Sequence, residues 1–348
     1  MNREKRVENL KRTLEHPLLV THPADLFYLS GFTGSMGFLL LFQGKEPVFF
    51  CDGRYTTQAG EELKIKAQIL EFRHQVAARI AEKMREEGEK ELCIDERVSC
   101  AFVRSLEKEG ISPVPVPSPV RSLRVKKEPE EVAMIEKALT ISEKAFERVL
   151  PFLKPGVRER DIAIELEYQI RTLGGEVAFP TIVATGERTA LPHAHPEDGK
   201  LEWGKWVLID WGARYGGYCA DLTRTIYLGN RHNEQFQKIF RWVRDAQEVA
   251  KDHLKEGAVA CQVDEVVRKF LSQGEIESYF THGLGHGVGI EIHEEPAINS
   301  QDQTVLAENM VVTVEPGVYF PDWGGVRLES MVVIRKDGCI TLDRLNTF

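Results

Sequence analysis

The chain has 348 residues, 42% hydrophobic and 28% charged, with 54 acidic against 45 basic side chains and a formal charge of −9. This is the composition of an ordinary globular protein, not of a disordered or fibrous one, and the acidic balance argues against a general nucleic-acid binder. The longest apolar run, Gly37–Phe42, has a strand's length and falls far below a membrane span. The N-terminus MNREKRVENLKR has no apolar core, so no signal peptide is expected. Six scattered cysteines without a CxxC pair suggest thiols in a reducing cytoplasm.

The length suggests two domains of unequal size. In the N-terminal part, PLLVTH, FLLLF, PVFFCD and LCID read as strands, and Gln75–Glu87 and Ser99–Glu109 as helices. This alternation predicts a small α/β domain. The stretch ISPVPVPSPV carries Pro113, Pro115, Pro117 and Pro119, which remove amide donors and force extended backbone. A basic patch, Arg121–Lys127, follows. The boundary is therefore placed within 111–128, dividing the chain into domains 1–122 and 123–348.

The second domain opens with a long helix. Pro129 stands at its start with glutamates in the first turn, and Val132, Ile135, Leu139, Ser142, Phe146 and Val149 fall at helical spacing. The segment LKPGVRERDIAIEL (Leu153–Leu166) resembles LKEGAVACQVDEVV (Leu254–Val267) at an offset of 101 residues. Each copy follows a helix-like segment and precedes strands: KWVLIDWGA and CADLTRTIYL after the first, MVVTVEPGVYF and VRLESMVVIRK after the second. Two related α/β halves packed together are expected.

Chemistry concentrates on these strands. Gly212, Gly216 and Gly217 supply turns between Asp210 and Asp221, so a hairpin is expected to set the two aspartates opposite each other. The second half carries Glu315 and Glu329, with Thr313 on the face of Glu315 and Arg327 on the face of Glu329. Face-to-face halves bring four carboxylates together, a concentration of charge that needs cations. Five histidines lie in two short segments: His193 and His195, then His282, His286 and His293. One imidazole with four carboxylates suits manganese, iron, cobalt or zinc better than calcium. The run GLGHGVG also reads as a phosphate-cradling loop, but it lacks the full GxGxxG spacing and a GK[ST] ending.

The order Asp–x10–Asp, His, Glu, Glu resembles the pita-bread metallopeptidases, the group of Xaa-Pro aminopeptidase, Xaa-Pro dipeptidase (prolidase) and methionine aminopeptidase. The resemblance spans about 125–348. It implies an α/β (α+β) fold: a small creatinase-like N-terminal domain and a C-terminal pita-bread domain of two pseudo-symmetric halves. It also implies a metal-ligand set of Asp210, Asp221, His286, Glu315 and Glu329, in which Asp221 and Glu329 bridge two divalent ions, most readily Mn2+, with Co2+ or Zn2+ as alternatives. Glu315 would carry the proton from a metal-bridging hydroxide's parent water, and His293 would steady the oxyanion. His193, His282, His293, Tyr319 and Arg327 would serve substrate binding, and Arg327 would also pair with a carboxylate to hold the metal-ligand geometry. The N-terminal domain and the V-R-L-E motif resemble the proline-specific branch rather than methionine aminopeptidases, and YLSGFTGSMG and FFCDGRYTTQA resemble small bacterial Xaa-Pro aminopeptidases more than typical prolidases. Two departures stand out: Ser330 follows Glu329 where many relatives have Asp, and Cys219 replaces a frequent Ser. The implied activity is removal of the first residue from peptides with proline second, by a cytoplasmic homodimer that binds neither nucleic acid nor membrane. Prolidase is the nearest alternative, a non-catalytic binding protein on the same fold a remote one, and a nucleotide enzyme a third.

Overall fold

The structure is a computed structural model describing residues 1–229 and 233–345. It divides into two compact units, Met1–Arg124 and Val125–Phe348. No helix among the described residues is long and apolar enough to cross a membrane.

The first unit runs α1 (Arg3–Arg12), β1 (Leu18–Val20), α2 (Pro23–Ser30), β2 (Phe38–Leu41), β3 (Val48–Asp52), α3 (Thr56–Glu62), β4 (Gln68–Phe72), α4 (Val76–Glu86), β5 (Glu91–Asp95), α5 (Cys100–Lys108), β6 (Ser112–Val116) and α6 (Pro119–Val125), the last helix ending at the boundary. Its strands form one mixed sheet in the order β4-β3-β2-β1-β5-β6. Leu92 and Ile94 alternate onto one face, where they pack with Leu19, Leu40 and Phe50 against Ile80 and Met84 of α4 and Leu106 of α5. The proline stretch, expected to be extended, forms edge strand β6, pairing parallel with β5. Alternation explains the tolerance: Ser112 N–H donates to Lys90 O at 2.8 Å, so Pro113 and Pro115 occupy positions whose amides face away from the sheet.

The second unit begins with α7 (Pro129–Val149) and α8 (Glu159–Thr172). Then come β7 (Glu176–Val177), β8 (Ile182–Thr185), β9 (Trp206–Trp211), β10 (Ala213–Tyr215), β11 (Tyr218–Cys219) and β12 (Leu222–Tyr227). The second half has α9 (Glu234–His253), α10 (Ala260–Ser272), β13 (Gly285–Gly287), β14 (Glu294–Ile298), β15 (Val311–Val314), β16 (Gly317–Phe320), β17 (Gly324–Arg327), β18 (Ser330–Arg335) and β19 (Gly338–Thr341). A capping box between Glu128 and Glu131 starts α7, and every apolar position expected on its inner face is buried.

The two halves share a plan. Each pairs two helices, α7 with α8 and α9 with α10, beside three antiparallel strands, β8-β9-β12 and β13-β15-β18. Each interrupts its last two strands with a hairpin, β10–β11 in the first and β16–β17 in the second. The expected strands MVVTVEPGVYF and VRLESMVVIRK are therefore each two strands; Pro316, which has no amide to donate, separates β15 from β16. The first core stacks Phe146 of α7 on Trp211 of β9, ring centroids 4.4 Å apart. In the second, Val243, Ala246 and Ala250 of α9 and Val263 and Val267 of α10 bury against Val312, Val314, Val332 and Ile334.

Candidate functional site

The helices fix the strand ends that carry the acids. In the first half, Ser142 of α7 accepts from the Trp211 indole at 3.0 Å through its carbonyl and from Ala213 N–H at 2.8 Å through its hydroxyl. These are the residues just beyond Asp210. In the second, buried Gln247 of α9 donates its amide to Val314 O at 2.9 Å and Leu328 O at 3.1 Å, the carbonyls immediately before Glu315 and Glu329. Backbone groups that would otherwise lie buried and unpaired are satisfied, and the two acidic positions are fixed with them.

The hairpin register differs from expectation. Asp210 faces Thr223, not Asp221. The β10–β11 excursion pairs with β7 and takes up the intervening glycines. Gly212 is required there, since a Cβ would stand 1.9 Å from Ala220 O. In the second half the β15–β18 register ends at Val314 opposite Ser330, so one further step sets Glu315 against Glu329.

All four carboxylates and His286 line one cavity of about 310 Å3, together with His193, His282, His293, Arg327, Asn299 and the apolar side chains Phe179, Ile182, Pro192 and Ile292. Oxygens of Asp221 and Glu329 and a ring nitrogen of His286 lie within 4.8 Å of one another. His286 Nε2 stands 3.6 Å from Asp221 Oδ2 and 3.4 Å from Glu315 Oε1. Its Nδ1 is 3.0 Å from Gly287 O; a proton donated there leaves the Nε2 lone pair facing the acids, as a metal ligand requires. Gly285 and Gly287 flank it in β13, where a Cβ would meet Thr313 O at 2.1 Å or Glu295 O at 2.2 Å. The glycine run is thus a tightly packed strand, not a phosphate-binding turn before a helix.

Arg327 is the polar hub. It donates through Nη2 to Asp210 Oδ2 at 2.7 Å, through Nη1 to Tyr319 Oη at 2.8 Å and Pro192 O at 3.2 Å, and through Nε to Thr223 Oγ1 at 3.2 Å. Tyr319 Oη lies 2.9 Å from His282 Nε2, and His282 Nδ1 lies 2.7 Å from Gly283 O. Both ring nitrogens of His282 are engaged within the protein, so its ring reaches the cavity without a spare nitrogen for substrate. Tyr319, expected at the substrate, is buried behind the wall with its hydroxyl shared between Arg327 and His282. His193 and His293 do line the cavity, whereas His195 does not, contributing instead its carbonyl to Arg188.

Electrostatics follow from burial. Loss of water raises the Asp221 and Glu329 carboxyls well above their usual range, and neighbouring carboxylates push the same way. Burial raises Glu315 to about 7, Arg327 opposing and Asp210 assisting. Burial also raises Asp210, against the pull of Arg327. Desolvation and the charge of Arg327 lower His282 to about 4, keeping it neutral. Ionising all four carboxylates, as metal ligation requires, would leave three negative charges uncompensated by the one guanidinium, which is why their protons are held so tightly in the metal-free protein. Asp210 Oδ1 is buried without any hydrogen-bond partner among the described residues. This donor set, four hard oxygens-bearing groups and an imidazole around an unpartnered oxygen, fits divalent transition metals.

Several side chains to which the sequence assigned no role also contribute. Thr223 donates to Glu329 Oε2 at 2.7 Å, and Thr313 to Glu315 Oε1 at 3.3 Å while accepting from His286 N–H at 3.0 Å. Fully buried Glu159 of α8 accepts from Thr185 N–H, Glu197 N–H and Arg188, tying down the loop that carries His193. Fully buried Asp264 of α10 accepts from Leu284 N–H and Arg268, while Arg268 donates to His282 O at 2.6 Å. The alternation of TRT and TVE could have pointed to the threonines; nothing local marks Glu159 or Asp264 as buried.

Residues 133–336 match the model of metallopeptidase family M24, and residues 8–126 match the creatinase/prolidase N-terminal domain. An Xaa-Pro dipeptidase of Pyrococcus horikoshii is 34% identical, covering 94% of this chain and 92% of the relative. Among solved structures, an X-Pro aminopeptidase from Thermotoga maritima is 33% identical with a TM-score of 0.90, covering 99% of both chains. An Xaa-Pro dipeptidase from Bacillus anthracis is 32% identical with a TM-score of 0.95, covering 100% of this chain and 99% of its own.

Proposed function

The chain belongs to metallopeptidase family M24, and on that premise we propose that it is an Xaa-Pro aminopeptidase working with two divalent cations, Mn2+ first among them. The observation that carries this reading is the convergence of four carboxylates, buried Asp221 and Glu329 and half-buried Asp210 and Glu315, with His286 in one cavity where Asp210 Oδ1 has no hydrogen-bond partner among the described residues. One divalent cation would leave the cluster at −1, two would leave it at +1. Asp210, Asp221, His286, Glu315 and Glu329 would hold them. When bound, such ions acidify a water and polarise a carbonyl.

The residues around them do the rest. Glu315, with a carboxyl near 7 in the metal-free protein, is suited to take a proton from the attacking water and deliver it to the proline nitrogen as the C–N bond breaks. The products are the first amino acid and a peptide beginning with proline. His293 donates to the carbonyl oxygen as it gains charge, and His193 binds the substrate beside it. Arg327 holds Asp210, Tyr319 and Pro192 in fixed relation, and His282 completes that chain from inside the wall. Phe179, Ile182 and Ile292 give an apolar surface against which a pyrrolidine ring, lacking an N–H, loses nothing.

The choice of aminopeptidase over prolidase rests on charge. A dipeptidase must hold the free carboxylate of its substrate's proline. Among the described residues lining the cavity, Arg327 is the sole Lys or Arg side chain, and Asp210 and Tyr319 already engage it. The deciding experiment chelates the protein, restores Mn2+, Co2+ or Zn2+ singly, and compares Xaa-Pro-Yaa, Xaa-Pro and Xaa-Ala-Yaa. Faster cleavage of the tripeptide supports this reading; a strong dipeptide preference makes the protein a prolidase. The reading includes a homodimer in the cytoplasm, and sedimentation as a monomer at micromolar concentration counts against the dimer.

A further inference from the structure

We propose that Arg224 and Asp343 form a positioning pair through which the C-terminal segment sets the backbone of Glu329 and thereby the metal affinity of the site. The proposal rests on the reading of Glu329 as a metal ligand. Arg224 lies on β12 between Thr223 and Thr225, and both it and Asp343 are buried. Its Nη1 donates to the carbonyl of Glu329 itself and to Thr223 O at 3.0 Å. Its Nη2 donates to Asp343 Oδ1 at 2.7 Å and Leu345 O at 3.1 Å.

Neighbouring contacts lock the same segment. Glu329 N–H donates to Thr223 O at 3.1 Å, and Thr225 Oγ1 donates to Arg327 O at 2.9 Å. Leu342 N–H donates to Met331 O at 2.9 Å. Glu329 is therefore held three ways: by Thr223 at its carboxylate, by Thr223 O at its amide, and by Arg224 at its carbonyl. Arg224 can serve the last role only if its buried charge is balanced, and Asp343 supplies that balance from more than a hundred residues away. A planar fork reaches Glu329 O and Asp343 together; an ammonium has no such geometry. Ser330, the residue after Glu329, places its Oγ 3.5 Å from Asp343 Oδ1. A carboxylate at position 330 thus lies within reach of Arg224 and can stand in for Asp343.

The test measures Mn2+ binding by equilibrium dialysis on the full chain, with folding checked by circular dichroism. Asp343→Asn and Arg224→Lys are each expected to fold and to bind Mn2+ about 10–100-fold more weakly, the usual cost of losing a group that orients a ligand. Should one fail to fold, the other decides. The double variant Ser330→Asp/Asp343→Asn is expected to recover most of the lost affinity, which a merely loosened core does not do. Wild-type affinity in a folded single variant, or no recovery in the double variant, overturns the proposal. Glu329→Gln separates the two readings: wild-type Mn2+ affinity in this variant overturns the ligand assignment and the pair's effect with it, whereas weakened binding there beside wild-type affinity in the folded pair variants overturns the positioning pair alone.

Discussion

The half built on α7 and α8 and the half built on α9 and α10 repeat one topology but equip it differently. In the first, Asp210 faces Thr223 across the strands and is bound by Arg327, a cation contributed by the other half. In the second, Glu315 and Glu329 face each other at the end of the β15–β18 ladder, and hydroxyls rather than cations are their nearest protein donors. The same strand frame thus yields one neutralised acid and one proton-holding acid, Glu315. The difference lies in what stands opposite: a fold can duplicate its carboxylates while burial and partner choice separate their chemistry.

This comparison can be broken most directly by removing an acid from either half. Asp221→Ala and Glu329→Ala are each expected to reduce hydrolysis to background, as chelation does, because neither half alone holds the cations. Residual activity in one but not the other, measured by tripeptide cleavage, means that a single half suffices. Next in size is Glu315→Gln. A lost proton carrier is expected to cost about 10²–10⁴-fold in kcat with little change in KM; a loss confined to KM contradicts the role given to Glu315.

The clamps sharpen the contrast. Asp264→Asn disturbs the strand that carries His286 as well as the carbonyl of His282, so a loss of about 10–100-fold in metal affinity or activity is expected. Glu159→Gln disturbs the loop bearing His193, and a rise in KM with kcat largely kept is the expected result. Steady-state kinetics on both variants separates them, and matching effects would remove the distinction between the halves. The smallest effect is on stability. In the metal-free protein the raised carboxyl of Glu315, near 7 against a usual 4.5, binds a proton more tightly folded than unfolded. Its contribution is full below about pH 4.5 and is lost as pH rises through about 7. Asp221 and Glu329 shift in the same direction. Chelated protein is therefore expected to melt a few degrees lower at pH 8 than at pH 5, a difference that calorimetry resolves and that saturating Mn2+ should shrink.

Period-two alternation and glycine spacing made the acids, their strands and the duplicated helices legible, because those signals are local. Val311, Thr313 and Glu315 share a face in the sequence and in the structure for the same covalent reason. The pairing of Asp210 with Thr223 was not legible: the excursion through β10 and β11 pairs with β7, a partner more than thirty residues earlier. Glu159 sits in VRERD, which reads as a solvated helix start, and only the packed loop 185–197 makes it a buried acceptor. The resemblance gave His282 a place at the substrate; its ring does line the cavity, and the engagement of both its nitrogens by Tyr319 and Gly283 carries no local sequence signal.

Strand β6 has a consequence outside the catalytic chemistry. Its outer margin presents carbonyls, yet at Pro113 and Pro115 it has no amide hydrogens to offer an incoming chain. A neighbour in extended conformation finds half its hydrogen-bond partners missing, so growth of the sheet by intermolecular zippering stops at this border. Replacing both prolines with valine would preserve the fold of the unit while making that border adhesive, and heated samples of such a protein should cloud sooner than the parent.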